Sequence, residues 1–270
     1  MFTSLAIPDK PGSARSAIPE PPPATRSRSI ALLRERIVQI ERMHAKGSAE
    51  RSFPLGIGAI DRALPTGGIR LGALHEAVSA GPDTEHAAAA TLFVAGILAR
   101  TGGPIFWVLR QADLFAPGLA CAGLTPDRIV FAEAGKDVLA VMEEGFRHAG
   151  LTAVVAEHTG RLSLVASRRL QLAAEQSGIL AILIRRSPCF DDPALHEPTA
   201  AVTRWRIAAL PSPPALAHAP DTPGLGRARW RLDLTRCRGG EPGSWVVEAC
   251  DATGRLGLVS GVSDRSAQAA

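Results

Sequence analysis

Apolar residues along the chain fall into short blocks whose period changes from one block to the next. Ile30, Leu33, Ile37, Ile40 and Met43 recur at helical spacing, with Arg34, Glu35, Arg36, Glu41 and Arg42 on the other side. The stretch from Ile30 to Lys46 therefore reads as an amphipathic helix. Such a stripe either covers the edge of its own domain or docks on a partner. Gly67-Gly68 leads into an apolar run from Leu71 to Val78, a Gly81-Pro82 turn and a small-residue helix from Ala87 to Ala99, together a strand, a loop and a helix. Buried strands are expected over Pro104 to Leu109, Ile129 to Phe131, Ala153 to Ala156 and Ile179 to Ile184, and helices over Asp137 to Ala149 and Leu162 to Ser177. Val202 to Leu210 and Ala228 to Cys237 read as two more strands; in the second, Trp230, Leu232 and Leu234 alternate with Arg231, Asp233 and Thr235. A Gly239–Gly243 turn and a returning run from Trp245 to Ala249 complete an antiparallel hairpin.

Length and composition bound this picture. A chain of 270 residues with 46% apolar content supports one large α/β domain. Residues 1–28, with Pro8, Pro11, Pro19 and Pro21-Pro22-Pro23 among Ser and Ala, are expected to be a disordered leader. The helix and a linker occupy 29–52, the core 53–256, and a small, polar, patternless tail 257–270. No apolar run approaches the ~18 residues a membrane span requires, so a cytoplasmic protein is expected. The formal charge of +4 rests almost wholly on arginine, because Lys10, Lys46 and Lys136 are the only lysines. That balance permits contact with nucleic acid without demanding it. Cys121, Cys189, Cys237 and Cys250 lie too far apart for a zinc site and read as buried free thiols of a reducing compartment.

The candidate chemistry sits between the first buried strand and its helix, where a phosphate-binding loop belongs. Such a loop needs glycines that let backbone N–H groups wrap phosphates, a lysine for the β/γ-phosphates and a hydroxyl for magnesium. The eight residues here are Gly81, Pro82, Asp83, Thr84, Glu85, His86, Ala87 and Ala88. His86 replaces the second glycine, Ala87 the lysine and Ala88 the hydroxyl, while Asp83 and Glu85 repel phosphate. The stretch keeps the frame of such a loop and lacks its chemistry. No cofactor and no catalytic residue is assigned.

Phe53 to Asp61, Gly67-Gly68-Ile69, Gly72 and Gly81-Pro82 resemble the opening of the core of RecA-type recombinases. Ser167 to Glu175, Ile182 to Arg186, Arg204-Trp205-Arg206 and Trp230 to Gly240 with Trp245 resemble the ImuA family within that class. The resemblance implies a RecA-like core with a mainly parallel central sheet, an antiparallel C-terminal hairpin and an N-terminal helix. In RecA proteins a glutamate that activates water follows the second core strand; Arg110-Gln111-Ala112-Asp113 stands there, and neither Arg nor Gln is a general base near neutral pH. Glu157 takes the place of the magnesium-positioning aspartate and reads as a structural acid, with a residual metal role left open. Arg185-Arg186 replaces the polar sensor. The two loops that hold single-stranded DNA in RecA proteins are trimmed here to His158–Ser163 and Ser187–Thr199.

For function the resemblance implies a DNA-damage-induced (SOS) accessory of translesion synthesis, working beside the polymerase-like protein ImuB and an error-prone replicative-type polymerase. A non-catalytic adaptor is the preferred reading, with an ATP-dependent recombinase-like enzyme and a SulA-type division inhibitor as alternatives. ImuB is the expected partner, and RecA and DNA are further candidates. Candidate partner-binding residues are Ile30, Leu33, Ile37, Ile40, Arg236 and Arg238. Candidate DNA contacts are Arg168, Arg169, Arg185 and Arg186. For the hairpin two readings stand: its tryptophans face the core and its arginines stay solvated, or the hairpin and the tail form the ImuB surface.

Overall fold

The computed structural model describes residues 52–216 and 218–259. The leader, the amphipathic stretch with Ile30, Leu33, Ile37 and Ile40, and residues 260–270 of the tail lie outside the described residues. At the start, β1 (Ser52–Phe53) pairs antiparallel with β2 (Ile69–Arg70) around a short helix, α1 (Gly58–Ala63). Asp61 ties this unit by accepting from the N–H groups of Leu55 and Gly56 at 2.7 and 2.9 Å. Gly68 is required by close approach: a Cβ there would lie 2.4 Å from the carbonyl oxygen of Phe53.

The remaining strands are β3 (Leu74–Ser79), β4 (Ile105–Leu109), β5 (Ile129–Glu133), β6 (Ala153–Thr159), β7 (Leu180–Arg186), β8 (Thr203–Leu210), β9 (Arg229–Cys237), β10 (Gly243–Glu248) and β11 (Gly257–Leu258). They form one sheet in the order β11-β10-β9-β8-β3-β7-β6-β4-β5. Strands β8, β3, β7, β6, β4 and β5 are mutually parallel, and β9, β10 and β11 continue antiparallel from β8. The expected mainly parallel sheet with an antiparallel hairpin is present. One expectation needs correction: Gly257–Leu258, assigned to a patternless tail, pairs with Val247–Glu248 as an edge strand.

Helix α2 (Asp83–Ala99) covers one face, and α3 (Val138–Gly145) with α4 (Leu164–Ser177) covers the other. Alternation sorts the side chains: Leu180, Ile182 and Ile184 of β7 join the α2 core, while Ala181 and Leu183 join the core under α3 and α4. Helix α3 ends at Gly145, short of the expected Ala149. Helix α2 is apolar nearly all round because it is covered on two sides, by the sheet and by the turn after β10. Gly96 makes that second contact possible, since a Cβ there would lie 2.2 Å from Cys250 Sγ. Helix α4 is bounded locally: the Ser163 hydroxyl accepts from the N–H of Ala166, and Gly178 ends the helix at φ 72°.

Candidate functional site

β3 ends at Ser79 and α2 begins at Asp83, so only Ala80, Gly81 and Pro82 connect them. Six of the eight residues expected in the loop, Asp83 to Ala88, are helical. The expectation that the frame of a phosphate loop survives is therefore corrected. No second glycine forces the chain out of helical geometry, the alanines favour helix, and Pro82, with φ −55°, leads straight into the first turn. Backbone donors that would face a phosphate are engaged: the Asp83 N–H bonds the Ser187 carbonyl at 2.9 Å, and those of Glu85 and His86 bond the Pro82 carbonyl at 3.0 and 3.2 Å. His86 Nδ1 accepts from the Ala209 N–H at 3.2 Å, tying this turn to β8. Asp83 and Glu85 in the first turn suit the positive end of the helix dipole.

Beside this turn, at the C-terminal ends of β4, β6 and β7, opens a cavity of about 630 Å³. Its floor is an ion pair. Glu157 of β6 is buried; its Oε1 accepts from Trp107 Nε1 at 3.1 Å, and its Oε2 from Arg186 Nε and Nη2 at 2.8 and 2.6 Å. Arg186 also donates to Thr91 Oγ1 at 3.0 Å and to the Ala87 carbonyl at 3.3 Å. One arginine thus joins β6, β7 and α2, and its guanidinium lies against Oε2 of the Glu157 carboxylate. Arg110 and Gln111 stand exposed on the cavity wall, and Gln111 Nε2 donates to Asp113 Oδ2 at 3.0 Å. Among the described residues no group of three or more His, Cys, Asp or Glu side chains is arranged to hold a metal ion.

The opposite face of the sheet carries a second charged cluster, which sequence reasoning did not assign. Glu76 and Arg185 are both wholly buried. Glu76 Oε2 accepts from Arg204 Nε at 2.6 Å and lies 3.9 Å from Arg185 Nη1. Burial pulls the Arg185 guanidinium below its ordinary pKa, and the Glu76 carboxylate opposes that shift. Arg185 Nη2 donates to the carbonyls of Gly160 and Ala194 at 2.7 and 3.1 Å, and Arg204 Nη2 donates to the Glu197 carbonyl and Thr199 Oγ1 at 2.8 and 3.2 Å. These two arginines fasten both trimmed loops to the sheet. The visible signal was a lone acid in the apolar run LHEAVS; its partners, far along the chain, could not be read.

This geometry corrects the set of candidate DNA contacts. Arg185 has no exposed surface and cannot meet DNA, and Arg186 is spent on Glu157. Neighbours on a strand point to opposite faces, so the two arginines serve different sites. Arg168 and Arg169 are exposed on α4, where Arg169 pairs with Glu143 of α3. In the hairpin Trp230 is buried, and Trp245 packs on Trp205 with ring centroids 6.2 Å apart, so these tryptophans face the core. Arg236 and Arg238 are half-buried, and Arg238 Nη2 donates to the Ala200 carbonyl at 3.2 Å. The expectation of buried cysteines is corrected at two of the four positions: Cys121 and Cys189 are exposed, while Cys237 and Cys250 are half-buried.

A parallel core extended by an antiparallel hairpin, with its cavity at the C-terminal strand ends beside α2, defines a RecA-like protein. The crystal structure of the RadB recombinase has this fold: it matches with a TM-score of 0.54, covering 76% of this chain and 98% of that chain at 17% identity. Protein ImuA of Caulobacter vibrioides, in strains NA1000 / CB15N and ATCC 19089 / CIP 103742 / CB 15, is 41% identical over 207 residues, or 73% of this chain and 83% of its own length. The chain belongs to the ImuA family. No family model matches it.

Proposed function

We propose that this ImuA-family chain is a non-catalytic, RecA-like adaptor in SOS-induced translesion synthesis, with ImuB as its main partner. The observation that carries the reading is the Glu157–Arg186 pair on the cavity floor. Phosphoryl transfer depends almost wholly on positioning and on electrostatic stabilisation of the phosphates and their metal. Here the acid at the metal position is neutralised by an arginine, alanines stand at the lysine and hydroxyl positions, and the first turn of α2 adds two carboxylates. A body of this shape still offers broad surfaces for protein partners, with RecA and DNA as further candidates.

The test combines calorimetry with phosphate release. With magnesium and ATP, no saturable heat is expected, and phosphate release matches a no-protein control with or without single-stranded DNA. Micromolar ATP binding or DNA-stimulated hydrolysis overturns the non-catalytic reading. Capture of ImuB by the full chain supports the adaptor role, and failure to bind ImuB, RecA or DNA removes it.

A further inference from the structure

We propose that the cavity above the Glu157–Arg186 pair binds an extended peptide segment of a partner protein, which inserts one bulky apolar side chain. The proposal deepens the adaptor reading and rests on it. With about 630 Å³ the cavity holds a large side chain and the adjoining backbone. Ala88 and Leu92 of α2, with Leu114, Phe115 and Leu119 of the segment after β4, give it apolar walls. Phe115 is 74% exposed on that wall, and Phe190, also 74% exposed, lies against Gly81, two residues before Asp83 on the rim. Two aromatic rings held in water beside a cavity are the kind of anchor that protein interfaces bury.

The polar groups select a peptide over a nucleotide. On the floor, Glu157 and Arg186 are committed to each other. The rim keeps the carboxylates of Asp83 and Asp113 as acceptors, and the guanidinium of Arg110, which makes no ion pair or hydrogen bond among the described residues, as a donor. A peptide backbone offers N–H groups to the first and carbonyls to the second. A polyphosphate brings acceptors alone and meets two like charges. Two carboxylates against one guanidinium favour a segment that is neutral or basic beside its anchor.

A random peptide library displayed on phage, panned on the full-length chain, tests this together with Ala88→Trp, which fills the cavity from a position whose side chain is already exposed. Enriched peptides should share a bulky apolar position, bind the wild type and lose at least about tenfold in affinity to a variant whose melting is unchanged. Should that variant fail to fold, Phe115→Ser applies the same criterion, because its ring already lies in solvent. Absence of enriched peptides, equal binding to wild type and variant, or displacement by ATP overturns the proposal. Purified ImuB separates the two readings. ImuB bound equally by wild type and Ala88→Trp overturns the cavity and leaves the adaptor. ImuB bound by neither removes ImuB as the partner, and the library result alone then decides the cavity.

Discussion

His75 shows how far a single side chain can be specified by its surroundings. Its Nε2 lies 2.8 Å from the Arg70 carbonyl, which can only accept, so Nε2 carries the proton and Nδ1 accepts from Thr203 Oγ1 at 2.7 Å. Trp205 Nε1 donates in turn to Thr203 Oγ1 at 3.0 Å. Burial lowers the His75 pKa from 6.5 to about 4. Because the folded value lies below the unfolded one, the unfolded chain takes up the proton first on acidification. Stability present above pH 6.5 is therefore lost as pH falls towards about 4. By pH 5 the loss from this residue is about 2 kcal/mol. Urea midpoints at pH 7.5 and 5 should fall more for the wild type than for His75→Gln, which cannot titrate; equal falls refute the assignment. The thiols supply a second prediction. Burial pushes the Cys250 thiol up to about 12, while Cys121 and Cys189 are exposed. A thiol reagent at neutral pH should label Cys121 and Cys189 rapidly and Cys250 only in denaturant, with mass spectrometry locating the label.

Among the elements, the two trimmed loops follow from the cluster beneath them. One guanidinium holds the first loop at Gly160 and the second at Ala194. Arg185→Met keeps the apolar bulk and removes both bonds. Hydrogen exchange in residues 160–162 and 194–196 should accelerate while exchange in β3 and β6 stays slow; unchanged loop protection shows that the loops hold themselves. Glu76→Ala is the harsher change, because it leaves Arg204 and Arg185 without their carboxylate. Breaking a buried pair of this kind costs about 3–5 kcal/mol, to be read from urea unfolding. The presence and type of most elements were legible, since period-two and helical repeats are local properties of the chain. The short length of α3 and the pairing of Gly257–Leu258 were not, because both depend on what lies alongside.

For the molecule as a whole, the adaptor proposal makes the charge of the C-terminal hairpin the property to test. The hairpin presents its tryptophans to the core and leaves Arg231 exposed, with Arg236 and Arg238 half-buried, in the antiparallel part of the sheet. Under the adaptor proposal these arginines contribute to the ImuB surface, with DNA as a weaker second ligand. The paired Arg236→Glu, Arg238→Glu variant, checked for folding by circular dichroism, should bind ImuB several-fold more weakly, and the difference should shrink with added salt. Unchanged affinity for both ImuB and DNA at low salt returns the arginines to a solvated face.

Local pattern alone carried the order of strands and helices, the antiparallel hairpin, and the helix-favouring alanines Ala87 and Ala88. Each of these is written within a few consecutive residues. Tertiary structure alone decided what became of the site. It closed the expected loop into the first turn of α2, turned Arg185 to one face of the sheet and Arg186 to the other, and paired Glu157 with Arg186 and Trp107. It also opened the cavity that now lies above that pair. The reason is physical: a side chain's partner is chosen by which strands lie side by side, and those neighbours are 29 residues away for Arg186 and 50 for Trp107.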